Sequence, residues 1–576
     1  MVNQRVILWI AFAALLFLNF QTWMHDYPPP ASVPAAPATA PSTVGGSLAE
    51  SVPSIAAPAA PATGNAQTSS STPVPAAATG TGTPSAGASP AVAPAPSAPI
   101  LHVRTDVLDM DISLAGGELV RSDLPTYPLH KDNPKVPVRL FDNSSADTLY
   151  VLQSGLAGSG TDAPDHKVLW QAPATDWVLA RGAGELRVPL TWTDGHGLTV
   201  IKTFVFRRGS YAIDLVYDVH NASNTPRSLA PYLQILRHWV HPSRSYFNVE
   251  TYSFMGPAIY DGHKYRRLNV EKAEDASYAE SVTNGWLASM QHHFVSAIIP
   301  QPDQPYQYRL QVEGNDYLLG ATGPTLTVAP GGSAQFREKL FTGPKLQSQL
   351  AATGPELDRT ADYGSLTIIA RPLFKTLKWV HSLVGNWGWS IIIVTALIKL
   401  LFYPLSQASG RSMAKMRAVA PRMKQIQETY KDDREKLGRA MMELYKREKV
   451  NPVAGCLPML VQIPFFISFY WVLLESVEMR QAPFMFWVND LSSRDPYFVL
   501  PILMGAAMFA QFKLNPPPPD PMQAKVMQFM PLVMTATMAW FPAGLTLYWI
   551  TNTVLSIAQQ WRINKIVEQE VAKLRS

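Results

Sequence analysis

A single cysteine, Cys456, occurs in 576 residues, and it lies in an apolar stretch. No intrachain disulfide is possible, so any exported part of the chain must hold together by packing alone. Also missing are a GxxxxGK[ST] loop, an HExxH helix and a GxGxxG turn opening a helix, and with them the usual means of drawing work from a nucleotide. His238, His241, His292 and His293 show no metal-ligand spacing, so no metal, cofactor or catalytic group is expected, and the chain does not read as an enzyme. The net charge of +5 is modest for this length, which makes nucleic-acid binding a poor default. Between 100 and 343 there is no apolar run of membrane-spanning length.

Proline is abundant, with fifty residues, and much of it falls in one block. The chain starts with an apolar run, 6–20, behind one arginine. Two readings are open for 1–27: a cleaved signal peptide, or an uncleaved anchor, which interruption of the cleavage-like sites by proline favours. Residues 28–99 are mostly Pro, Ala, Ser, Thr and Gly with one charge, Glu50. Such a composition builds no core and predicts a disordered linker with an end-to-end distance of roughly 45–50 Å. From 100 to 345 the pattern changes. "YAIDLVYDVHN" sets Tyr211, Ile213, Leu215, Tyr217 and Val219 against polar neighbours, the two-residue period of a half-buried strand. "LTVIKTFVF" and "AQFREKLFTG" repeat it, predicting a large antiparallel β-sandwich.

Residues 360–385 carry Leu366, Ile369, Leu373, Leu377, Val380 and Val384 at helical spacing, with Arg371, Lys375 and Lys378 opposite. This predicts an amphipathic helix in the headgroup plane, with Pro372 in its first turn. The alternative is an ordinary surface helix of the sandwich. Five apolar spans follow at 386–405, 453–476, 497–515, 526–542 and 543–560, making six with the N-terminal run. The loop 406–452 holds twelve Lys/Arg and six acidic residues, whereas 477–496 holds two and three. The positive-inside rule puts 406–452 in the cytoplasm and 477–496 outside. The short loop 516–525, the tail 561–576 and both termini are then cytoplasmic, and the β domain is periplasmic. The expected class is a polytopic α-helical membrane protein, five of its six spans forming a bundle, with an all-β periplasmic domain.

Lys399 stands within an apolar span, where a charge costs about 2.5–3.5 kcal/mol on the lenient insertion scales. Thr395, Lys399, Tyr403 and Ser406 share one helical face. Trp549, Asn552, Ser556 and Gln559 do the same in the last span, and Gln462 and Gln511 each add an amide. Together they predict a wet, positively charged groove; a lysine snorkelling to headgroups is the alternative. The span at 526–541 rises only about 24 Å, short of the roughly 30 Å hydrocarbon layer, which would thin the bilayer locally. In 406–452, Met413, Met416, Met423, Ile426 and Tyr430 form a stripe answered by Leu437, Met441, Leu444 and Tyr445. This is a helical hairpin kinked at Pro421, its exterior basic through residues such as Arg411, Lys415 and Arg417. Its methionines suit varied apolar segments, or simply pack the hairpin.

The segments "VGNWGWSIII", "SMAKMRAVAPRMKQIQETYKDD", "MMELYKREKVNPVAGCLPMLVQIPFFISFYWVL", "SVEMRQAPFMFWVNDLS" and "FPAGLTLYW" resemble the YidC family of membrane-protein insertases in its six-span Gram-negative form. The resemblance covers most of 360–560. It implies a periplasmic β-supersandwich and an inner-membrane location. It also implies energy-independent insertion of membrane segments through a groove open to cytoplasm and lipid, alone or with the Sec translocon. The implied partners are nascent membrane proteins, the ribosome, the Sec translocon and the bilayer. The groove's basic residue in that family is usually arginine; the matching position here is Lys399, which keeps the charge without the bidentate fork.

On this reading substrate meets the hairpin, its polar end enters the groove towards Lys399, and its apolar part leaves past Phe465, Phe466 and Phe469. Two other classes fit parts of the pattern. Intramembrane Lys and Gln also mark secondary transporters, though the helical half shows no internal repeat. A large β-sandwich also suits an anchored carbohydrate-active protein, though no paired-carboxylate motif stands out.

Overall fold

Strand alternation governs the first half of the chain. The computed structural model describes residues 47–54, 99–158, 163–241, 253–431, 433–448, 457–514 and 521–575. The expected N-terminal anchor, most of the linker and Cys456 lie outside them. The β region holds an eleven-stranded and an eight-stranded sheet. The strands that matter below are β1 (Glu118–His130), β2 (Tyr150–Gly158), β3 (Leu198–Arg207), β4 (Ala212–Asn221), β5 (Arg227–His238), β6 (Asp316–Thr322) and β7 (Ser333–Pro344). In the larger sheet β6, β5, β2 and β1 are neighbours; in the smaller, β7, β4 and β3. Tyr211, Ile213, Leu215, Tyr217 and Val219 are all buried, while Asp218 and His220 face solvent. Each such side chain removed from water contributes about 1.5–3 kcal/mol, which is how a domain without disulfides holds together.

The linker departs from expectation in one place. Leu48–Glu50 form a 3-10 turn, and Leu48 packs on Val120, Val151, Leu236 and Leu318 on the outer face of the larger sheet. Composition does not reveal that one leucine among small residues can cap a patch provided by another part of the chain.

After a short helix at Gln347–Thr353, the described residues form eight longer ones: α1 (Thr367–Val384), α2 (Trp387–Leu401), α3 (Tyr403–Thr429), α4 (Arg434–Arg447), α5 (Leu457–Glu475), α6 (Val499–Leu514), α7 (Pro521–Met538) and α8 (Ala543–Arg575). Asn386 caps α2 by accepting from the Trp389 N–H, and Gly385 ends α1 at φ +67°, a conformation glycine adopts without strain. Helix α1 corrects one expectation. It begins at Thr367, so Pro372 sits inside the helix rather than in its first turn. Its stripe of Leu373, Leu377 and Val380 is buried among residues of α2 and α5. Exposed apolar residues, Ile368, Trp379 and Leu383, remain on its other side.

Among the described residues no single helix is long and apolar enough to cross a membrane. One pair passes together, Trp387–Leu401 with Tyr403–Ser412, bent by 62°. The apolar parts of α5 and α6, Leu460–Glu475 and Val499–Leu514, are shorter still. Helix α8 runs unbroken from the expected last span through the tail, and Ile563 packs against Gly410 of α3 so closely that a Cβ there would lie 2.8 Å from it.

The β domain also touches the helical part directly. Ser253 donates to Glu475 (2.7 Å), His292 to the Leu474 carbonyl (2.8 Å), and Arg480 to the Pro128 and Leu129 carbonyls (2.9 and 3.0 Å). Lys345 lies buried beside them, its ammonium pushed down to about 8 by burial against the pull of Glu475.

Candidate functional site: a polar cavity among the membrane helices

Helix α2 ends at Leu401, where the chain bends by 62° into α3, and Lys399 stands in its last turn with its side chain crossing to α8. Its Nζ donates to the Ser556 hydroxyl of α8 at 2.7 Å, and that hydroxyl donates in turn to the Asn552 carbonyl at 2.7 Å. Around the ammonium lies a cavity with about 420 Å³ of free space. It is lined by Thr395, Ile398, Lys399, Phe402, Leu405, Ser406, Val461, Gln462, Phe465, Tyr548 and Asn552. Thr395 spends its own hydroxyl on the Ile391 carbonyl (2.6 Å), leaving the oxygen's second lone pair towards the cavity as an acceptor.

Of the residues named from sequence, Lys399, Thr395, Ser406, Gln462, Asn552 and Ser556 come together here. Tyr403, Gln511 and Trp549 do not line the cavity. Tyr403 falls beyond the 62° bend, so the i, i+8 relation with Thr395 is broken. Trp549 instead sets its ring edge-on to Phe466, centroids 4.7 Å apart. Gln511 is half-buried near the end of α6. Sequence reading missed Tyr548, whose hydroxyl meets the Gln462 side chain, and the apolar wall of Ile398, Leu405 and Val461. The signal for Tyr548 was its place four residues before Asn552 on the same helical face.

The expected aromatic exit needs the larger correction. Phe469 is fully buried and stacks on Tyr548 at 4.4 Å, and Phe466 packs on Tyr548 and Trp549. Phe465 lines the cavity itself, ring edge to Phe402. By helical period 465 lies about 40° from 469 and about 100° from 466, so the three share a broad face, but Phe466 and Phe469 are taken up by contacts with α8 and only Phe465 meets the cavity. Exposed apolar side chains stand on α6 and α7 (Ile502, Leu503, Phe529, Leu532 and Val533), as they do at the end of α2 (Leu400 and Leu401).

In the hairpin α3 packs on α4, with Val419, Met423, Met441 and Leu444 buried between them and Met416 at the margin. Met423 and Met441 therefore hold the two helices together and present nothing to a substrate. Arg411 is exposed, and the side chains of Met413, Lys415 and Arg417 lie outside the described residues.

Residues 100–376 match the family described as YidC periplasmic domain, and 379–570 the family described as 60Kd inner membrane protein. The chain is 46% identical over 593 residues to the membrane protein insertase YidC of Thioalkalivibrio sulfidiphilus, across 98% of this chain and 99% of that one. To the membrane protein insertase YidC of Pseudomonas fluorescens it is 48% identical over 481 residues, covering 82% and 85%. A solved structure, "Active YidC insertase crystal structure with the first transmembrane domain resolved", aligns at 20% identity and TM-score 0.36, over 80% of this chain and 94% of that one. A chain matched along nearly its whole length at this identity belongs to the YidC family of membrane protein insertases, inner-membrane proteins whose all-β domain is periplasmic.

Proposed function

We propose that the cavity around Lys399 receives the polar leading end of a membrane segment. The observation that carries this is the Lys399–Ser556 bond: the ammonium is directed across the bundle to a hydroxyl instead of along the helix to a headgroup. A cation held there attracts acidic residues, while Thr395, Gln462, Asn552 and trapped water replace the hydration that polar peptide leaves behind. The apolar part of the substrate then leaves along the exposed faces of α6 and α7, whose short helices lower the thickness to be crossed. No step draws on nucleotide hydrolysis; burial of the substrate's apolar residues in lipid drives insertion. In this reading the chain spans the membrane six times, with both termini and the basic hairpin cytoplasmic. The ribosome meets the hairpin, and the Sec translocon shares the task for some substrates.

Site-specific photocrosslinking tests it. A photoreactive residue at Gln462 or Thr395 should label stalled nascent membrane proteins, and one at the buried Phe469 should not. Equal labelling from all three positions would reject the cavity as the path.

A further inference from the structure

We infer that the outer face of the eleven-stranded sheet is a docking site for a peptide main chain, and that its resident occupant is the chain's own Leu48–Pro53. Side chains that alternate outward from β1, β2, β5 and β6 build it. Val120, Val151, Leu236 and Leu318 make an apolar floor that takes Leu48, and Pro53 is buried at the other end of the segment.

Across the floor runs a polar chain with a fixed direction. Gln153 donates to the Glu118 carboxyl at 2.9 Å; Gln234 donates to Gln153 Oε1 at 2.7 Å; Arg309 donates to Gln234 Oε1 at 3.1 Å. An acceptor at one end and a guanidinium at the other decide which way both amides face. Their remaining donor capacity goes to the segment: Gln153 to the Ala49 carbonyl at 3.2 Å, Gln234 to the Ser51 carbonyl at 3.0 Å. His166 adds a third donor. Tyr232 Oη accepts from the His166 backbone N–H (2.9 Å) and gives its proton to Nδ1 (2.7 Å), so Nε2–H is left to donate to the Ala49 carbonyl (3.0 Å). Burial lowers the His166 pKa, which keeps the ring in that neutral form.

All three donors address main-chain carbonyls, and only Leu48 and Pro53 are recognised by shape. The site is therefore selective for one apolar anchor followed by main-chain carbonyls turned to the sheet, which the segment supplies at Ala49 and Ser51 around its single 3-10 turn. Docking divides the 72 residues of 28–99 and leaves 20, 28–47, before the anchored leucine. End-to-end distance grows with the square root of length, so that leash confines its ends to about half the span.

The test uses the full chain in nanodiscs and a labelled peptide of residues 45–56, GGSLAESVPSIA, followed by fluorescence anisotropy. In the variant Leu48→Asp every residue of the β domain itself is unchanged and the cis segment is released. That variant should bind the peptide saturably and at least tenfold more tightly than the unaltered chain, whose own segment competes. Adding Gln153→Ala and Gln234→Ala should weaken binding by tenfold or more. Equal binding to unaltered chain and Leu48→Asp, no saturable binding to either, or equal binding of a scrambled peptide would each overturn the inference.

Discussion

At the scale of single residues, Lys399 gives the sharpest test of the cavity. Lys399→Arg keeps the cation and should retain activity. Lys399→Glu should impair substrates with acidic translocated tails, since two like charges 4 Å apart repel by about 4 kcal/mol at an effective dielectric of 20. Lys399→Ala should do less harm, because Thr395, Gln462 and Asn552 remain. Inserting one substrate with acidic or neutralised tail residues in each variant checks this; equal defects for both tails would make Lys399 an anchor. In the β domain, Glu338 of β7 is fully buried and accepts from Tyr306 Oη at 2.6 Å, and burial pushes its pKa from 4.5 up to about 8. A carboxyl whose folded pKa is raised contributes stability that is fully present below 4.5 and is lost as pH rises through 8. The thermal midpoint of the β domain should therefore fall by several degrees between pH 5 and 8. Glu338→Gln, which keeps the acceptor, should flatten that slope. A slope unchanged in the variant would assign it to other groups.

At the scale of elements, the hairpin and the bent α2–α3 pair matter most. The seam of Val419, Met423, Met441 and Leu444 closes the hairpin as a unit, and the ion pair Arg422–Glu448 ties its open end at 2.5 Å. Removing 411–449 should abolish insertion and leave the α2, α5 and α8 packing folded, since the core of Ile391, Val394, Phe469, Leu473 and Leu545 contains none of the deleted residues. Crosslinking or protease protection of the remaining helices, beside an insertion assay, checks both halves. Normal insertion by the deletion would reject the hairpin as the receiving surface. The alternating strands and this seam were legible in the sequence, because each is a repeat within one or two neighbouring elements. The bend at Phe402 has a local cause that the apolar pattern masks: Pro404, in the first turn of α3, has no N–H to offer the Leu400 carbonyl. The burial of Phe466 and Phe469 has no local signal, because it depends on α8, some eighty residues further along the chain.

At the scale of the whole molecule, the linker composition suggests a β domain free of the bundle, whereas Ser253, His292 and Arg480 join the two. The contacts are polar, and deleting 110–330 removes the cover over Glu475 together with Ser253, so water replaces the lost donor while Lys345 stays beside the carboxylate. Growth-supporting insertion should therefore stay mostly intact in that deletion. Complete loss with the remaining helices stably expressed would mean that the junction transmits something the bundle needs. What the sequence determined by itself was class and order: a strand period of two, apolar runs, a charge bias between loops and the motifs of a family. These are properties of short windows and of totals. The tertiary structure alone decided which polar residues meet. Lys399 and Ser556 are 157 positions apart, and Leu48 caps strands that begin 70 residues after it. A side chain's partner depends on where the backbone returns in space, and no local period encodes that return.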